Sequence, residues 1–255
     1  MSVACPEDMT ITLDQRADRL MVHTPRGTSA PRFERGLVHC ASAIQPLGGR
    51  GGWPGGGSPI RDESGFVPLF DGTADNWLTA GHGRFAVVGD RLESVPGEDL
   101  GVFWCKVPTP RDFVLRLRWL RWRHEDASGI MVRFPRPQSD ASNPAHIAAS
   151  GFEVRIDEVG IRGETCIYTT GAILHQPLQR LTPRAARPPM EWNDLEITVV
   201  DHRYAVALNG RPVTVFVNPD TTRGRASSPE APSFIGLQLS PGARVAFRDI
   251  RIKAL

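Results

Sequence analysis

The chain has 255 residues with 30 basic and 28 acidic side chains, a formal net charge of +2. That length suits one large all-β domain or two small ones, and the balanced charge carries no nucleic-acid footprint. No apolar run approaches the roughly 20 residues that span a bilayer, and the start, MSVACPEDMT, lacks the basic segment and apolar run of a signal peptide, so a cytoplasmic location is the default expectation.

Residues 1–64 differ in composition from the rest. The run MTITLDQRADRLMVH suits a strand or a helical turn, but nothing extends it. Five prolines follow, with the string GGRGGWPGGG from Gly48 to Gly57. Glycine loses the most backbone freedom on ordering, and this string offers little apolar area in return. Residues 48–64 therefore read as a flexible linker behind a poorly ordered tail, and Trp53 as incidental to it.

From Phe66 the pattern changes to short strands. FVPLF leads into the turn signal DGT and then Trp77. RFAVVGDRLES reads as a hairpin about Gly89 and Asp90. VFWCKV and the break PTPRD come next. Phe113 to Trp122 is the clearest strand: Phe113, Leu115, Leu117 and Trp119 face one way, Arg116 and Arg118 the other. SGIMVRF follows, then a loop from Pro135 to Ser150, and then GFEVRID. In that last run Phe152, Val154 and Ile156 share one face, while Glu153, Arg155 and Asp157 share the other. TGAIL, LEITVV and RYAVALNGRPVTVFV come next. The Asn209–Gly210 pair predicts a tight hairpin, because the favoured turn needs positive φ at both central residues. FIGLQLS and VAFRDIRIKAL close the chain.

Short strands at close intervals with few helical periods predict an all-β, antiparallel jelly-roll sandwich. A β-propeller is the alternative, but no internal repeat of about 40 to 50 residues is visible. The cysteines Cys5, Cys40, Cys105 and Cys166 form no C-x-x-C pair and read as buried free thiols. No H-x-H, H-E-x-x-H or clustered Cys/His spacing indicates a metal, no dense Asp/Asn loop calls for a structural calcium, and no G-x-S-x-G elbow indicates a serine nucleophile.

The ordered set FVPLFDGTADNW, DFVLRLRW, SGIMVRF, GFEVRID, TGAIL, EWNDLEI, ALNG, FIGLQ and VAFRDIRIK resembles the 3-keto-disaccharide hydrolase domain family over Phe66 to Leu255. The resemblance implies a concanavalin A-like lectin/glucanase jelly roll and a carbohydrate partner. It implies either cleavage of glycosides whose sugar carries a ketone at its third carbon or, since the same fold serves lectins, a non-catalytic binding module. One departure stands out. The family's GLQ-x-H places a histidine where this chain has Ser240, which bears on activity more than on fold.

Two carboxylates four residues apart on one strand have Cα atoms about 13 Å apart, so Glu153 and Asp157 do not make a conventional glycosidase pair by themselves. A keto-glycoside needs one base, one cation or donor, and one acid. Glu153 or Asp157 supplies the base, Arg133 and Arg155 steady the oxyanion, His175 is a candidate acid, and Gln238 could bond the sugar. Each has a plainer alternative. Glu153, Arg155 and Asp157 also read as a solvated face with a same-face ion pair, and His175 and His124 as exposed loop residues. Trp192 and Asn193 read as bracing the start of a strand.

Overall fold

A computed structural model describes residues 63–138, 144–159, 168–182 and 185–255, together with six short strands between residues 3 and 39. The Gly48–Gly57 string and the linker assigned around it lie outside the described residues, apart from Glu63 and Ser64. The chain divides into two units, Met1–Pro59 and Ile60–Leu255.

In the first unit, β1 (Val3–Cys5), β2 (Met9–Asp14), β3 (Arg19–Thr24) and β4 (Gly27–Ser29) form an antiparallel sheet in chain order. β5 (Arg32–Glu34) pairs with β6 (Leu37–His39). The MTITLD and RLMVH segments are thus strands of one hairpin and not helical.

The second unit is a two-sheet antiparallel sandwich. Its strands are β7 (Val67–Pro68), β8 (Trp77–Gly81), β9 (Arg84–Val88), β10 (Arg91–Val95), β11 (Gly101–Cys105), β12 (Phe113–Arg121) and β13 (Ser128–Pro135). They continue as β14 (Phe152–Ile156), β15 (Arg180–Leu181), β16 (Asn193–Val200), β17 (Arg203–Leu208), β18 (Arg211–Val217), β19 (Ser233–Leu239) and β20 (Val245–Ala254). One sheet runs β15-β18-β17-β16-β12-β20-β10-β9, with β7 also on β20; the other runs β14-β13-β19-β11-β8. Sheets built from such distant strands make a jelly roll, not a radial array of local blades.

The core lies between the sheets. Phe113, Leu115, Leu117 and Trp119 of β12 alternate into it as expected, and Phe152, Val154 and Ile156 of β14 meet them from the other side. The hairpin turns also fall as expected. β9 pairs with β10 around Gly89 and Asp90, and Asn209 and Gly210 have φ of 50° and 76° between β17 and β18. Cys105 is a buried free thiol.

The five-stranded sheet is covered on both faces. Val102, Trp104, Met131, Phe134 and Phe234 form a second apolar cluster on its outer face, closed by Ile147 of helix α1 (Pro144–Ser150). This corrects the reading of Pro135 to Ser150 as loop throughout. Proline is tolerated at the first helical position, and the alanines of PAHIAAS favour the helix that Ile147 anchors. The two covered faces explain why β11 and β19 are buried at every position whereas β12 and β16 largely alternate.

Candidate active site

Glu153, Arg155 and Asp157 lie on the outer face of the five-stranded sheet, beside the apolar cluster. They are not a solvated exterior: Glu153 is 3% exposed and Asp157 8%. On β13, Met131 stands opposite Glu153 and Gly129 opposite Arg155. Gly129 has no side chain, and Glu153 fills the space this leaves, while Arg155 Nη1 donates to Gln238 Oε1 of β19 at 3.1 Å.

One connected network results. Arg155 Nη1 donates to Glu153 Oε1 at 3.1 Å, and Nη2 to Asp157 Oδ2 at 3.0 Å. Gln238 Nε2 donates to Glu153 Oε2 at 3.0 Å, and Ser240 Oγ to Gln238 Oε1 at 3.1 Å. Ser128 Oγ donates to the Gln238 carbonyl at 2.7 Å, which fixes the backbone that carries the amide. Asp157 is held in turn by Thr170, whose Oγ1 accepts from the Asp157 amide at 3.0 Å.

Burial pushes the Glu153 carboxyl above its ordinary range. The charge and hydrogen bond of Arg155 oppose the shift, and the neighbouring Asp157 charge adds to it. The guanidinium sits between the two carboxylates, so they do not flank an open space for a nucleophile or a water. Arg155 Nε is buried and has no hydrogen-bond partner among the described residues. The site thus holds a buried carboxylate beside a cation with one uncommitted N–H.

Arg133 does not join this group. Regular alternation would put it on the face of Met131, but β13 bulges between Val132 and Phe134, and Arg133 takes φ 59°. The bulge turns the side chain inward. It is 1% exposed, donates to the Arg111 carbonyl, lies 3.7 Å from Asp112 Oδ1 and rests over Phe113. His175 also stays outside. It is exposed, in a turn with φ 60°, and packs edge-on against Tyr168. His124 is exposed in a turn as well. Asn193 braces a strand start, accepting from Arg187 N and Asn209 Nδ2. Gly129 was missed in the sequence, where it reads only as the second residue of SGIMVRF.

No group of three or more His, Cys, Asp or Glu that could hold a metal occurs among the described residues. None of their helices is long and apolar enough to cross a membrane. A cavity of about 400 Å³ lies apart from the network, lined by Asp201, His202, Asn218, Asp220 and Arg223 among others.

The antiparallel sandwich with a polar cluster on one sheet face is of the lectin-like jelly-roll class. The chain belongs to the family of 3-keto-alpha-glucoside-1,2-lyase-like domains, whose model matches residues 65–253. No curated protein matches the sequence. Similar solved structures include two Parabacteroides distasonis proteins assigned as glycosyl hydrolases. One has 22% identity, a TM-score of 0.56 and coverage of 74% of this chain and 99% of that one; the other has 18%, 0.56, 75% and 94%. A Bacillus subtilis protein of unknown function with a galectin-like fold is 12% identical, with a TM-score of 0.52 and coverage of 74% and 94%. At these identities the structures define the fold.

Proposed function

We propose that the chain cleaves 3-keto-glycosides by elimination, with Glu153 as the general base. The ketone acidifies the C–H between it and the anomeric carbon. Glu153 takes that proton, and the C–H electron pair becomes an enolate on the former ketone oxygen. The enolate then collapses, forming a double bond to the anomeric carbon as the bond to the glycosidic oxygen breaks. The protonated Glu153 returns its proton to the departing oxygen, so one residue serves as base and acid in turn, and water can add to the product afterwards. Arg155, whose side chain keeps a part-exposed edge, steadies the enolate oxygen with its positive charge.

The observation that carries this reading is the burial of Glu153 against Arg155. A carboxylate whose pKa is raised by burial is a stronger base when ionised and a usable acid when protonated. Asp157 holds the far side of the guanidinium, and His175 is not needed. Incubation with a 3-keto-glucoside, following aglycone release, tests the proposal; absence of release from the intact protein would remove it.

The same face supports a second reading, a carbohydrate-binding module without turnover. It is favoured by the saturation of Glu153, whose two oxygens already accept from Arg155 and Gln238. Sugar binding without release would select it.

A further inference from the structure

We infer that Gln238 and Ser240 are positioning residues that hold Glu153 as a proton acceptor, an inference that rests on the base role given to Glu153 above.

The argument begins with the orientation of one amide. A guanidinium only donates hydrogen bonds, so Arg155 Nη1, 3.1 Å from Gln238, must face the amide oxygen. The amide nitrogen then has to point the other way, where it meets Glu153 Oε2 at 3.0 Å. Ser240 Oγ donates to the same Gln238 oxygen and adds to the hold. Two donors on the carbonyl polarise the amide and strengthen the N–H that Glu153 receives. Glu153 Oε1 meanwhile accepts from Arg155. Both carboxyl oxygens therefore face donors, and a proton on either would be set against an N–H. The network favours the carboxylate, in opposition to the burial that disfavours it.

Gln238 is thus spent on Glu153 rather than on a sugar. Ser240, half-buried just past the end of β19, is the solvent-side end of the chain Ser240–Gln238–Glu153. The charged groups around Glu153 are few. β14 supplies Arg155 and Asp157, β13 supplies the uncharged Gly129 and Met131, and β19 supplies Gln238. The titratable residue of α1 is His146, which is exposed, as is His175 beyond Leu174, whose amide donates to the Glu153 carbonyl.

The test is a carbon-13 NMR titration of the Glu153 carboxyl in the full chain, its signal assigned by its loss in Glu153→Gln. Gln238→Met removes the donor and should raise the midpoint by about one pH unit, and Ser240→Ala by about a third of a unit. Ser240→Thr keeps the hydroxyl and should restore the wild-type midpoint. An unmoved or lowered midpoint in Ser240→Ala and Gln238→Met overturns the inference, as does a Ser240→Thr midpoint equal to that of Ser240→Ala. The titration needs no turnover. Shifted midpoints without keto-glycoside cleavage would sink the base role and leave the positioning intact, whereas cleavage with unmoved midpoints would sink the positioning alone.

Discussion

Glu153 occupies the volume that a side chain at Gly129 would fill: a methyl group on Gly129 would overlap Glu153 Oε1. Gly129→Ala should therefore expel the carboxylate from its bonds with Arg155 and Gln238. The clash is with the end of a flexible side chain, so the fold should survive at a cost of about 1–2 kcal/mol. Urea denaturation and a turnover assay check this together; an unchanged midpoint with unchanged turnover would show that Glu153 does not need the gap.

The titration of Glu153 has a signed consequence for stability. Its folded value lies above the 4.5 of an ordinary glutamate, so the folded state binds the proton more tightly. That contribution is full below pH 4.5 and is lost as pH rises through the folded value. Glu153→Gln lacks this loss. Its stability relative to wild type should be greater at about pH 8 than at about pH 4, as read from denaturation midpoints. A difference that is flat or reversed would mean that Arg155 outweighs burial.

Arg121 points into the sandwich from the end of β12 and is 2% exposed. Its Nε and Nη1, and Nε1 of the neighbouring Trp119, have no hydrogen-bond partner among the described residues. An unpaired buried charge is costly, and replacing it with an apolar side chain of similar length should stabilise the domain. Arg121→Met is expected to gain about 1–3 kcal/mol. A loss of similar size would show that the guanidinium is held by a group it needs.

Much of the fold and part of the site could be read from residue order, for reasons visible at particular positions. Phe113 to Trp119 alternate cleanly because one face of the larger sheet meets solvent, and Glu153, Arg155 and Asp157 share a face because strand side chains alternate. Arg133 escaped because a bulge changes the parity that alternation assumes, and nothing local in MVRFP announces one. Helix α1 is short, but the unbroken apolar runs VFWC and FIGL were a usable signal that something covers the outer face of their sheet. Burial of Glu153 and Asp157 follows from Gly129 and from strands distant in sequence, so the local pattern of the ionic trio suited a solvated surface equally well.

The Asn209–Gly210 turn gives a check on the hairpin apart from the site. Both residues take positive φ, and Asn209 Oδ1 accepts from Asp194 N at 3.0 Å. Gly210→Val should cost about 1 kcal/mol or more through backbone strain. A denaturation midpoint equal to wild type would contradict that geometry.

Aglycone release from a 3-keto-glucoside, measured side by side for wild type and Glu153→Gln, tests the central claim most directly. The account predicts release by wild type, and a rate lower by about 10²- to 10⁴-fold in a folded Glu153→Gln, the range for a lost general acid or base. No release by wild type, or equal rates in the two proteins, would contradict it.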